Sequence, residues 1–136
     1  MSTRVLIIED DADLRDILLI ALGEEGYAVA GAENGLEAIV RLTFGDRPDA
    51  LLLNLHMPVL SGSDFLEVVR LDPAFAAIPV IIMTGAPVPP EIGRGADAVL
   101  LKPFEIGALT GLIDDLVSRR PPPPPSPTPP PQAAGL

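Results

Sequence analysis

The chain has 136 residues and 9 basic against 19 acidic side chains, a formal charge of −10, with no cysteine, no tryptophan, one tyrosine and one histidine. Lack of cysteine excludes a disulfide scaffold, a thiolate nucleophile and any Cys-ligated zinc or iron–sulfur centre. The acidity argues against a nucleic-acid or anionic-membrane surface, and no apolar run approaches the ~20 residues that span a bilayer.

Short apolar runs alternate with amphipathic segments. Val5 to Ile8 reads as a first strand that ends in acids. Leu14, Ile17, Leu18, Ala21 and Leu22 follow as one helix face, stopped by Gly26. Tyr27 to Gly31 is a second strand, and Asn34 with Glu37 makes a capping-box pattern for a helix through Phe44. Ala50 to Leu53 is a third strand. Ser61 caps a helix that buries Phe65, Leu66 and Val69, with Val68 beside them. Pro79 to Met83 and Ala98 to Leu101 are the fourth and fifth strands. Ile106, Leu109, Leu112, Ile113 and Leu116 stripe the last helix. Unbroken apolar strands alternating with helices indicate an α/β fold whose parallel sheet is covered on both faces. The residues Pro121 to Leu136, PPPPPSPTPPPQAAGL, hold nine of the seventeen prolines and no charge. They read as a disordered proline-rich tail, 121–136, after a domain of residues 1–120. The bland reading of the tail is a linker; the sharper one is a ligand for an aromatic-lined groove.

Such a sheet puts its site outside the carboxyl ends of the strands. There stand Glu9, Asp10 and Asp11, then Asn54, then Thr84, then Lys102, the one lysine of the chain. Adjacent carboxylates at a strand end favour a cation, and a hard oxygen site suits Mg²⁺. An ammonium and a hydroxyl beside it are the parts that hold a phosphoryl group. The residues alone thus point to a metal and phosphate pocket; the competing reading is a set of merely solvated acids.

The segments VLIIEDDADLR, PDALLLNLHMPVLSG, PVIIMTG and VLLKPF, in this order, resemble the receiver domain of bacterial response regulators over roughly residues 3 to 118. The resemblance implies a flavodoxin-like (βα)5 fold and a cytoplasmic signalling module of a two-component phosphorelay. A sensor histidine kinase or phosphotransfer protein would pass a phosphoryl group to an aspartate on the third strand, with Mg²⁺ alongside. By the same resemblance Glu9 and Asp10 are the metal-binding pair, joined by residue 54 and the backbone carbonyl of His56. Thr84 is the switch hydroxyl, and Lys102, before a cis Pro103, pairs with the phosphoryl group.

Residue 54 is asparagine where the family pattern has the acceptor aspartate. A neutral amide is a poor nucleophile, so aspartyl phosphorylation is expected to be blocked or lost. Its oxygen could still ligate, but one unit charge at ~4 Å is worth ~4 kcal/mol at an effective dielectric of ~20, so Mg²⁺ should bind weakly. Asn54 is either native, in a degenerate receiver, or an engineered substitution; the sequence leaves both open. No enzymatic activity is expected beyond self-phosphotransfer were residue 54 Asp. Only seventeen residues separate Thr84 from Lys102, about four fewer than the pattern, and Pro87, Pro89 and Pro90 limit the fourth helix to one turn near Pro90 to Arg94. Val99 stands where the family often has an aromatic switch. The alternative function is a phosphate-independent scaffold or adaptor that uses this altered region and the tail. Downstream signalling proteins are the other expected partners, without nucleic acid or membrane, and the chain should be a monomer or weak homodimer. A flavin-binding reading lacks stacking aromatics, and a hydrolase reading lacks a Ser/His/acid set.

Overall fold

The computed structural model of the protein describes residues 2–119, so the expected tail, 121–136, lies outside the described residues. Ten elements alternate along the chain: β1 (Arg4–Ile8), α1 (Ala12–Glu24), β2 (Ala28–Ala32), α2 (Gly35–Phe44), β3 (Ala50–Asn54), α3 (Gly62–Leu71), β4 (Val80–Thr84), α4 (Pro90–Gly93), β5 (Ala98–Leu101) and α5 (Ile106–Arg119). All strands are parallel, in the order β2-β1-β3-β4-β5. This is the five-stranded, flavodoxin-like architecture the sequence predicts.

Side chains of a strand point alternately to its two faces, and the two sets feed two cores. Leu6, Ile8, Leu51, Leu53, Val80 and Ile82 meet Ala38 and Leu42 of α2 and Phe65, Leu66 and Val69 of α3. Val5, Ile7, Leu52, Ile81 and Met83 meet Leu18 and Leu22 of α1 and Leu109 and Ile113 of α5. Full burial on both faces holds for β3 and β4 and nearly for β1, but not for the edge strands. β5 alternates, with Val99 and Leu101 exposed. The expectation of a fully covered sheet therefore fails at β5, because α4 is a four-residue turn and leaves that face open. β2 and β4 each lie one residue later than predicted. Val68 is exposed as well.

The helix face predicted for α1 is also corrected at Ile17, which is 59% exposed; the buried stripe is Leu18 and Leu22, with Leu14 and Leu19 packed beside them. Asp11 caps this helix, its Oδ1 accepting from the N–H groups of Asp13 and Leu14 at 3.0 and 3.1 Å. At the other end Gly26 takes φ +97°, the Gly26 N–H donates to the Gly23 carbonyl and the Tyr27 N–H to the Leu22 carbonyl, both at 3.1 Å. That is a Schellman ending, and it explains why a glycine stands there. Tyr27 then ties β2 to α5, its hydroxyl donating to Asp114 Oδ1 at 2.6 Å. Burial, and next the Asp114 carboxylate, push this phenol's pKa up, so it stays a neutral donor. Asn34 and Ser61 cap α2 and α3 as predicted; Glu37 pairs with Arg41 at 3.8 Å.

The loop from β3 to α3 carries backbone strain. Val59 has φ +72°, and the Leu60 N–H donates to the Pro58 carbonyl at 2.8 Å, so a γ-turn is centred on a β-branched residue. The Val59 side chain is 75% exposed and contributes little packing. Val59→Gly is expected to stabilise the fold by about 1 kcal/mol, as the relieved strain outweighs the added freedom of the unfolded chain. A thermal melt should rise by about 4 °C; an unchanged or lower midpoint would show that the turn is not strained.

Candidate functional site

Order β2-β1-β3-β4-β5 brings the carboxyl ends of β1 and β3 side by side at the centre of the sheet. Glu9 and Asp10 follow β1, and Asn54 is the last residue of β3. Glu9 is 1% exposed, Asn54 8% and Thr84 2%, three polar side chains in an otherwise apolar interior. Buried polar groups need partners.

Asn54 links the two strand ends. Its Nδ2 donates to Glu9 Oε2 at 2.7 Å, to Asp10 Oδ1 at 2.9 Å and, more weakly, to the His56 carbonyl at 3.3 Å. Its Oδ1 accepts from the His56 N–H at 3.3 Å. On the far side of Glu9, Lys102 Nζ donates to Oε1 at 3.2 Å. The Asp11 N–H reaches Glu9 Oε2 at 3.3 Å, and Arg15 donates to the Glu9 carbonyl at 2.7 Å. Glu9 thus has both carboxylate oxygens engaged. The Lys102–Pro103 bond is cis, as expected.

The structure gathers Glu9, Asp10, Asn54, Lys102 and the His56 carbonyl into one pocket. Thr84 lies on the neighbouring strand, but its hydroxyl is engaged in its own turn: it donates to the Ala86 carbonyl and accepts from the Ala86 N–H, each at 3.2 Å. The His56 side chain is exposed. The three oxygen groups that the resemblance gives to Mg²⁺ are the ones that the amide N–H groups hold. The asparagine oxygen, expected as a further ligand, faces the His56 N–H instead. As arranged, the residues do not fit the ion. Among the described residues no group of three or more His, Cys, Asp or Glu side chains is placed to hold a metal.

Sequence reasoning passed over two features, one beside this pocket and one at the opposite edge of the sheet. Gly62 lets the start of α3 lie against the end of β3, where its N–H donates to the Leu55 carbonyl at 2.9 Å. A Cβ there would stand 2.4 Å from the Asn54 carbonyl oxygen and 2.6 Å from Leu55 Cα. Arg70 of α3 joins the segment before β4 to the segment before β5. Its Nε donates to the Gly95 carbonyl at 2.8 Å, one terminal nitrogen to the Ala76 and Ile78 carbonyls at 2.8 and 3.0 Å, and the other to Asp97 Oδ2 at 2.8 Å. Nothing in the sequence singled out Arg70.

Comparison with known proteins agrees with the fold. Residues 5–114 match the family model described as the response regulator receiver domain. The response regulator MprA of Mycobacterium bovis is 36% identical over 127 residues, which cover 90% of this chain and 54% of that protein. The chain spans about half the length of the curated relatives it matches. Among solved structures, the Vibrio cholerae chemotaxis protein CheY4 superposes with a TM-score of 0.79 at 27% identity, covering 85% of this chain and 99% of the other. The response regulator TrrA of Thermotoga maritima, in complex with Mg²⁺ and BeF, gives a TM-score of 0.75 at 28% identity, covering 84% and 98%. No helix of the described residues is long and apolar enough to cross a membrane.

Proposed function

Because the chain belongs to the response regulator receiver domain family, we propose that it is a protein-interaction module of a two-component phosphorelay in which aspartyl phosphorylation does not occur. The observation that carries this reading is the Asn54 side chain: where a receiver would present an anionic nucleophile, this chain presents an N–H pair bonded to Glu9 and Asp10. An amide nitrogen engaged as a donor cannot attack phosphorus, and the neutral amide oxygen is a weak nucleophile. Lys102, already on Glu9, is the group that would meet a phosphoryl oxygen, with Thr84 as the hydroxyl partner. Mg²⁺ binding is weak in this reading, since one anionic ligand is missing.

The partners are a sensor histidine kinase or phosphotransfer protein upstream, or a downstream signalling protein, in the cytoplasm, with the chain a monomer or weak homodimer. Residues 1–120 are the receiver unit and no chemistry is assigned to the rest. The acidic balance supports protein rather than nucleic-acid contacts. A second reading, a phosphate-independent scaffold, is favoured by one observation: the four-residue α4 leaves Val99 and Leu101 open on a face that a longer helix would cover.

The test compares the chain with its Asn54→Asp variant, each incubated with acetyl phosphate or beryllofluoride and Mg²⁺. Only the Asp variant is expected to gain mass or change its spectrum. Phosphorylation of the Asn54 protein at a comparable rate would overturn the reading. Silence of both proteins would remove the acceptor-site assignment and favour the scaffold.

A further inference from the structure

Asn54 Nδ2 touches one carboxylate oxygen of Glu9, one of Asp10 and the carbonyl of His56. These three groups come from two strand ends and a loop, and a single nitrogen lies within hydrogen-bonding reach of all of them. We propose that the Asn54 amide takes the place of a divalent cation in this pocket, so that the chain holds one conformation whether or not Mg²⁺ is present. The inference rests on the assignment of Glu9, Asp10 and residue 54 to the acceptor site given above.

Charge and hydrogen-bond capacity carry the argument. The Glu9 carboxylate, 1% exposed, needs positive partners, and the exposed Asp10 carboxylate stands beside it. Lys102 serves Glu9 Oε1, and the polarised N–H groups of Asn54 serve Glu9 Oε2 and Asp10 Oδ1. The opposite orientation of the amide would set a neutral acceptor against two anions. The existing one also lets Oδ1 accept from the His56 N–H. Among the described residues no buried side-chain nitrogen or oxygen lacks a partner, so the buried Glu9 carboxylate offers an ion no orphaned oxygen, while Asp10 is exposed to water. Entry of Mg²⁺ would break the 2.7 and 2.9 Å bonds and turn the amide over, in exchange for a neutral ligand in place of an anionic one. A group that binds only the folded state raises the melting temperature. The amide is such a group built into the chain, and it leaves the ion little to add.

Thermal melts of the full chain, Asn54→Asp and Asn54→Ala, each in EDTA and in millimolar Mg²⁺, test this. The parent midpoint is expected to be the same in both buffers, and the Asn54 side-chain NH₂ signals in an NMR spectrum should not move. Asn54→Ala should melt lower than the parent in EDTA and recover on adding Mg²⁺, and Asn54→Asp should also rise, each by about 4 °C or more. A Mg²⁺-dependent rise in the parent as large as that of Asn54→Asp overturns the inference. So does an Asn54→Ala protein that Mg²⁺ does not stabilise, since the seat would then not be a cation seat. If Asn54→Asp responds to neither Mg²⁺ nor beryllofluoride, the acceptor-site reading itself falls. If it responds to both while the parent also binds Mg²⁺, only the amide inference does.

Discussion

Gly62→Ala is expected to lower the unfolding free energy by about 3 kcal/mol, at the upper end of what overpacking costs. Helix propensity predicts the opposite sign. Gly62 is the first residue of α3, and alanine in place of glycine favours a helix by up to about 1 kcal/mol. Sterics win because the obstructing atoms are backbone. The new Cβ would meet the Asn54 carbonyl oxygen at 2.4 Å and Leu55 Cα at 2.6 Å, and no rotamer relieves that. Either α3 withdraws, which breaks the bond from the Gly62 N–H to the Leu55 carbonyl, or the end of β3 moves. β3 is the central strand and Leu51, Leu52 and Leu53 are fully buried, so movement there opens both cores. Urea unfolding should show a lower midpoint with an unchanged slope. A change within about 0.5 kcal/mol, the range of ordinary surface substitutions, would mean that the two backbones can separate freely.

Arg70→Ala should cost about the same, about 3 kcal/mol, by a different route. Four hydrogen bonds from one guanidinium join α3 to the carbonyls of Ala76, Ile78 and Gly95 and to Asp97. Asp97 in turn accepts from the Val80 N–H at 2.7 Å, so its Oδ2 is shared between the clamp and the start of β4. The Arg70 side chain is 26% exposed, so water replaces only part of what is lost. Removing it leaves partly buried carbonyls without donors and a carboxylate without its cation. The flat fork of donors matters as much as the charge. Arg70→Lys keeps the charge but not the geometry, and it should recover less than half of the loss. A lysine variant as stable as the parent in urea would show that charge alone suffices.

The sequence makes most of this architecture readable because each strand and helix obeys its own local rule. β1, β3 and β4 are continuous apolar runs because they are interior strands. The caps at Asn34 and Ser61 are visible because a short polar side chain stands three residues before the N–H it accepts from. Ile17 misleads for an equally local reason. α1 carries apolar residues at 14, 17, 18, 19 and 20, more than one face can bury, and only tertiary packing selects Leu18 and Leu22. Val99 and Leu101 look like core for the same reason and are uncovered by the shortness of α4. At the site, Glu9, Asp10, Asn54 and Lys102 were recognisable from strand-end position and from the receiver pattern. The direction in which the Asn54 amide faces was not, because it depends on acceptors 44 and 45 residues away. Gly62 and, in three of its four bonds, Arg70 act through backbone atoms of other segments, and sequence carries no mark of such contacts.

The separation of the pocket's parts along the chain has a kinetic consequence. The link from Lys102 to Glu9 spans 93 residues, and the link from Asn54 to Glu9 spans 45. The second needs β1 docked beside β3 and the first needs β5 added across β4 as well, and such non-local contacts are slow to assemble. The pocket should therefore be among the last features acquired during folding. Once formed, the two Asn54 amide protons are held between the ends of β1 and β3, so their exchange with solvent should follow separation of these strands rather than fraying of one helix.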